Sequence, residues 1–546
     1  MPRADDGGGR PPNTFSPIEF PHFLQHLPEH HVVPHERRRQ GLLVVCAAMF
    51  ISAVDMTIVN VALPDISENL NAGIGELQWV LDGFLVALAG LLLVGSGLAD
   101  RFGRKKVFVA GMAGFGLASV FCALAPSPVA LIAARVLMGA SAACVLPPAL
   151  SLIAVMFPPA ERPQALGVWA AVASAGLVAG PVLGGVLVRE VGWEAVFLVN
   201  VPVAIVVVPA GWRVLPESTR PGTPPIDLVG VALSIVSLGG VVFALIEGPD
   251  AGWGSPEVLI LGVIGLLAGV LFVRSQLRHR YPLFDVRVLT RPAVAAGAVA
   301  ILSVYVAFLG TMFLLPQYLQ YVQDRSVVMA GLLLVPLGIG GAVGARYNAR
   351  VFALLGPRLT VAGGTAALGG SIALLLLLGR TTTVLLVLLA TGLLGLFIAL
   401  AIPPATAVIM NDLGDEKAGD GGAVNQLARQ TGGALGVALV GTVFAGAYTN
   451  RIDELDGLTS AQRERAGESI EEARDVVEAL HGPMREELVT RIDDAFDVAA
   501  RMGFGVCVGV LLLAAAVAAL ALAPDRLVGS VRTGASAERP GPSDGG

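Results

Sequence analysis

Apolar residues in this chain come in long unbroken runs rather than in the short alternations of a soluble domain. A helix needs about 20 apolar residues to cross a hydrocarbon core about 30 Å thick. Fourteen runs of that order are present, near 41–63, 77–99, 107–125, 129–157, 164–188, 194–215, 226–247, 256–276, 291–317, 327–352, 358–378, 383–410, 421–447 and 502–523. The pattern predicts an all-α polytopic membrane protein with fourteen transmembrane helices. The runs are rich in Gly and Ala, which let backbones approach closely where lipid gives helices no hydrophobic reason to associate.

The polar breaks between runs set the orientation. Arg37, Arg38 and Arg39, then Arg101, Arg104, Lys105 and Lys106, then Arg213 and Arg220, Arg274, Arg278, Arg280 and Arg287, and Arg346, Arg350 and Arg358 fall on one side. The opposite short loops offer little beyond Arg189, Arg325 and Arg380. The positive-inside bias then predicts both termini cytoplasmic in the plasma membrane.

Composition sharpens this reading. The chain is 55% hydrophobic and only 14% charged with a mean hydropathy of +0.74, well below the roughly 25% charge of a soluble domain. Its net charge of −6 is concentrated in residues 449–501, which hold 14 acidic against 7 basic side chains. The remainder is nearly balanced and gives no basic patch for nucleic acid. Residues 449–501 are expected to be an extracytoplasmic helical loop, with one amphipathic helix from Ser460 and a second after Gly482-Pro483. Residues 1–40 and 524–546 read as polar cytoplasmic tails. His22, His26, His30, His31 and His35 have helix-like spacing, but Pro21, Pro28 and Pro34 interrupt it and favour disorder over a metal site. Cys46, Cys122, Cys144 and Cys507 lie in apolar runs without metal or redox spacing.

A few polar residues inside the runs carry the candidate chemistry. Asp55 lies mid-span, where an ionised carboxylate is costly, so its proton is expected to come and go with hydration. Arg135 in span 4 needs a carboxylate partner, for which Asp55 is the obvious candidate. Asp82 lies a turn or so into span 2, either holding a cation or a proton or snorkelling to the headgroups. Asn425 and Arg429 are four apart and share a face of span 13, as cavity wall or as interhelix hydrogen bonders. Gly176, Gly180 and Gly184 repeat every four residues beside Pro181 and Gly185 in span 5, forming a smooth, bent packing groove. In the loop after span 2, Gly97, Asp100, Arg101, Gly103 and Arg104 are either solvated anchors or a latch. In the latch, Asp100 pairs with Arg104 or faces the positive N-terminus of span 13.

These stretches, in order, resemble the major facilitator superfamily. Gly97-Leu-Ala-Asp-Arg-Phe-Gly-Arg-Lys-Lys-Val107 is similar to its loop signature, and Arg135-Val-Leu-Met-Gly139 to its span 4 pattern. Gly176, Gly180, Pro181, Gly184 and Gly185 look like the antiporter signature of exporters. Asp55-Met-Thr-Ile-Val-Asn60 through Pro64 is similar to the signature of the fourteen-helix drug:proton antiporters, the EmrB/QacA-like branch. Asn200-Val-Pro202, Pro403-Pro404-Ala-Thr406 and the stretch from Asn425 to Gly436 also match that branch. The sequence departs from the pattern at Glu194-Ala195, where Arg-Trp is usual, and at Ala353, where an acid is common.

The resemblance implies a major facilitator fold of 6+2+6 helices. Residues 41–220 and 291–523 would be the halves and 221–290 an inserted pair. It implies an outward-open form favoured by the loop latch, and a cavity lined by Asp82, Asn60, Asn425 and Arg429. The expected function is proton-coupled export of small amphipathic drugs or antibiotics, with Asp55 and Arg135 coupling the proton. Rival readings are export of a lipid or self-made metabolite, a non-transporting sensor, and a membrane enzyme, for which the sequence shows no catalytic constellation. Expected partners are a small-molecule substrate and membrane lipid, with no nucleic acid, no metal and no cofactor beyond the proton. The chain is expected to act as a monomer.

Overall fold

The computed structural model describes residues 35–158, 161–219, 227–279, 282–283, 285–380, 383–414, 417–478 and 483–522. Among these there is no strand. The first set of helices comprises α1 (His35–Leu70), α2 (Ile74–Phe102), α3 (Arg104–Ala123), α4 (Pro128–Ala143), α5 (Leu146–Met156), α6 (Arg162–Glu190), α7 (Ala195–Leu198) and α8 (Asn200–Val214). A pair follows, α9 (Leu228–Ala251) and α10 (Pro256–Arg278). The second set is α11 (Pro292–Tyr321), α12 (Val327–Leu333), α13 (Val335–Ala373), α14 (Val384–Leu413), α15 (Ala418–Asp453), α16 (Ser460–Glu468), α17 (Ile470–Glu478) and α18 (Pro483–Ala521).

Twelve described helical segments are long and apolar enough to cross a membrane, against the fourteen expected. One of them, Val327–Leu377, runs 51 residues and is broken at Gly356, whose φ of 72° and ψ of 174° are not helical. The 29-residue α6 lies outside the twelve.

Where the apolar pattern predicts single spans, prolines interrupt them. The run 129–157 divides into α4 and α5 at Cys144–Val145, just before Pro147 and Pro148. The run 194–215 divides at Val199 before Pro202, and 327–352 divides at Leu334 before Pro336. Proline removes a backbone donor and clashes with the preceding turn, so the break falls upstream of the ring.

The N-terminal boundary differs from expectation. Residues 35–40 belong to α1 rather than to a tail, and Arg38 is buried against Glu161 with an Nη1 to Oε2 distance of 3.3 Å. The histidines at 22–31 and residues 524–546 lie outside the described residues. In the insert, the first predicted helix is two, divided at Ser469, and α18 runs from Pro483 into the last span without a break.

The helices of each set pack mainly on their own set, and α2 with α15, α6 with α12 and α1 with α11 join the two. A bond from Gln320 Nε2 to the Val61 carbonyl, 3.3 Å, ties α11 to α1 near the Asn71–Gly73 end. The pair α9–α10 stays peripheral, with Ile260, Leu266 and Val270 of α10 exposed as a lipid-facing helix requires. Its α9 nevertheless touches both sets: Trp79 Nε1 donates to Glu247 Oε1 at 3.0 Å, and Thr442 Oγ1 to the Leu245 carbonyl at 2.5 Å.

Candidate functional site

Charge buried in the first set determines the site. Arg135, on α4, reaches across to α1, where Nη1 lies 2.8 Å from Asp55 Oδ2. Neither side chain is more than 2% exposed. Arg135 Nε donates to the Val80 carbonyl at 2.9 Å, and the guanidinium lies over the Phe84 ring at 4.4 Å and near that of Phe197 at 5.9 Å. The second oxygen of Asp55 accepts from Asn200 Nδ2 at 3.3 Å, and the same amide reaches Ser119 Oγ at 3.2 Å. Side chains or carbonyls of α1, α2, α4, α7 and α8 thus converge on one ion pair. Desolvating two charges offsets most of their attraction, so such a pair is weak evidence for stability. Intramembrane ionisable pairs more often mark ion pathways.

Beside the pair lies a cavity of about 20 Å³ lined by Met56, Asn60, Leu81, Phe84, Leu85, Arg135, Leu309 and Val437. It sits between the two sets and has room for about one water. Asn60 borders it while its amide donates to the carbonyls of Met56 and Thr57, at 3.3 and 3.5 Å.

The span 5 glycines lie in α6 against α1. A Cβ at Gly176 would meet the Phe50 carbonyl oxygen at 2.6 Å, and one at Gly184 would meet Ile58 at 3.0 Å. At Gly180 it would collide with Thr57 Oγ1, which donates to the Leu177 carbonyl at 3.1 Å. Gly185 serves the other contact, since a Cβ there would lie 2.8 Å from the Val327 carbonyl oxygen of α12. Pro181, buried inside α6, backs on to Gly331. The groove is therefore packed on two sides.

The α2–α3 turn pivots on Gly103, at φ 112°, a conformation that glycine adopts without strain. Asp100 Oδ1 accepts from Arg104 Nη2 at 2.9 Å and Nε at 3.2 Å, so the two are paired in this structure. The Arg104 backbone amide donates to the Ser218 carbonyl at 3.0 Å, and Glu217 fills the space beside Gly103. Arg101 lies over Phe102, and Gly97 is half-buried.

Residues 45–437 match the Major Facilitator Superfamily. The chain belongs to that family. It is 36% identical to the puromycin resistance protein of Streptomyces alboniger over 76% of this chain and 83% of that one. It is 33% identical to the tetracenomycin C resistance and export protein of Streptomyces glaucescens over 87% and 90%. Identity to the multidrug efflux pump LfrA of Mycolicibacterium smegmatis is 30% over 88% and 95%. Among solved structures it resembles a bacterial homologue of the human lysosomal transporter Spinster in an inward-facing, unoccupied conformation. The TM-score is 0.65 at 18% identity, covering 89% of this chain and 97% of that one.

In this facilitator Asp82 does not reach the headgroups. It is fully buried in α2, and neither carboxylate oxygen has a hydrogen-bond partner among the described residues. Gln78, one turn earlier, is likewise buried and without a side-chain partner among the described residues, pressed against Gly441 of α15. Asn425 and Arg429 form a separate group: Asn425 Nδ2 donates to Thr406 Oγ1 of α14 at 2.5 Å, and the Arg429 guanidinium lies 5.0 Å from the Tyr305 ring centroid on α11. Both make interhelix contacts. The sequence reading assigned no role to Asn200, Ser119 or Gln78. A polar amide at a proline-broken helix start was the available signal for Asn200.

Proposed function

We propose that this facilitator is a proton-coupled antiporter that exports small amphipathic compounds, drugs or antibiotics, across the plasma membrane. The buried Asp55–Arg135 pair beside the inter-set cavity carries the reading. Ionised, Asp55 holds Arg135 through Oδ2; protonated, it loses the charge that keeps the guanidinium turned toward α1, and Arg135 becomes free to answer to the cavity. Proton arrival and cavity opening are thereby linked. Rocking of α1–α8 against α11–α18 about this central site supplies alternating access. Resistance and export in the names of the relatives support the cargo class.

The energetics suffice. One charge moved through 100 mV supplies about 2.3 kcal/mol, enough for a roughly fifty-fold gradient. Counting Val327–Leu377 as two spans and adding α6 to the twelve gives the fourteen of a 6+2+6 arrangement, with both termini cytoplasmic. The chain is proposed to work as a monomer. The test is uptake of a panel of amphipathic compounds into inside-out vesicles with and without a pH gradient. Gradient-dependent uptake of at least one supports the reading, and uptake indifferent to the gradient for every compound refutes the coupling.

A further inference from the structure

A second cavity is much larger than the one beside the ion pair. It is a groove of about 610 Å³ on the outer flank of α2, α3 and α4, open to the surroundings. Small residues form its floor, Ala110 and Gly114 from α3 and Ala140 from α4, while the exposed Leu117, Phe121 and Leu137 line its far part. Along α3 it extends from Lys106 to Phe121, about 22 Å at the rise of an α-helix. That is an elongated slot the length of a lipid chain rather than of a compact drug, on a face whose apolar side chains are exposed.

One end of the slot is cationic. Arg104 is engaged by Asp100, and Lys105 lies 5.3 Å from the Trp212 ring centroid. Lys106 lines the slot, is exposed, and makes no ion pair or hydrogen bond among the described residues. Three cations also crowd the first turn of α3, where the helix dipole is positive and opposes them. An anion at this end is the complement that the turn lacks.

We infer that this slot holds one anionic phospholipid, its acyl chain on the Ala110 floor and its phosphate on Lys106. Basic pockets between membrane helices recognise anionic headgroups in this way, at a strength of about fivefold in affinity per cation. The bound headgroup lies beside the Gly103 turn and the Asp100–Arg104 pair, so the lipid is placed to bias that latch.

Purified full-length protein in detergent, mixed with equal amounts of phosphatidylglycerol, phosphatidylethanolamine and phosphatidylcholine, tests this by native mass spectrometry. Retention of phosphatidylglycerol over phosphatidylcholine is expected by about fivefold. Lys106→Gln should erase that preference and Lys106→Arg keep it, while Ala110→Trp should lower retention of all three. Equal retention of the three lipids, or a preference unchanged in Lys106→Gln, overturns the inference. So does a dimer peak lost in Ala110→Trp, or displacement of the bound lipid by tetraphenylphosphonium, which would give the slot to a second copy or to a cationic amphiphile. Lipid retention is read without transport, so its outcome is separate from that of the export assay.

Discussion

At Asp55 and Arg135, a carboxylate and a guanidinium each satisfy a debt that water would otherwise settle. Removing one alone leaves the other charged and unpaired, at about 3–5 kcal/mol. Asp55→Asn should abolish gradient-driven efflux, by at least about tenfold, while Arg135 retains its Val80 bond and ring contacts; normal pumping by the variant in pH-jumped vesicles would remove Asp55 from coupling. Arg135→Lys keeps the charge but loses the planar fork that serves Asp55 and Val80 together. Its turnover should fall about tenfold. Asn200→Ala strips one acceptor bond from Asp55 and should lower thermal stability by about 1–2 kcal/mol, read by melting in detergent. The ion pair was legible in the sequence because an unpaired charge in lipid is prohibitive. Asn200 and Ser119 were not, because a neutral amide or hydroxyl does not declare its partner. The sequence left Asp82 open between an inward-facing carboxylate and one snorkelling to the headgroups because hydropathy does not fix where α2 begins; its side chain is buried. Buried without a donor among the described residues, Asp82 is a candidate cation ligand, and Asp82→Asn should weaken efflux of a cationic compound more than that of a matched neutral one. Equal losses would assign it to coupling or folding instead.

Helices here are legible as apolar runs and illegible as broken ones. The run 129–157 contains its own interruption, yet hydropathy averages across Pro147 and Pro148 and reports one span. The span 5 glycines were better signposted, since spacing by four puts them on one face whatever they pack against. What they touch needed the structure: α1 through Gly176, Gly180 and Gly184, and α12 through Gly185. Gly180→Ala places a methyl group against Thr57 and should cost about 1–3 kcal/mol of overpacking, with Gly180→Leu blocking turnover more than substrate binding. Unchanged turnover in the leucine variant would mean that α1 and α6 do not need to stay in register during transport.

For the molecule as a whole, the joint between the inserted pair and the second set is ionic. Lys417 Nζ lies 2.9 Å from Asp285 Oδ2, and the Asp285 amide donates to Asp420 Oδ1 at 3.1 Å. The hydrogen bond from Lys417 holds the Asp285 carboxyl below the usual carboxylate value. A depressed carboxylate contributes stability above its unfolded value and loses it only as pH falls through the folded one. The joint should therefore stay tied throughout pH 5–8, and the pH profile of efflux in Lys417→Met should match that of the parent in that window. A shifted profile would make the joint part of the coupling apparatus.

The one-water cavity at the centre also constrains rates. A drug-sized molecule cannot enter it in this conformation, so capture must wait until the two sets of helices part. At high ligand concentration the observed association rate in a stopped-flow experiment should level off at the frequency of that parting, common to all cargoes, rather than climb with concentration. Compounds that differ widely in affinity would then share one ceiling and separate only in how fast they leave.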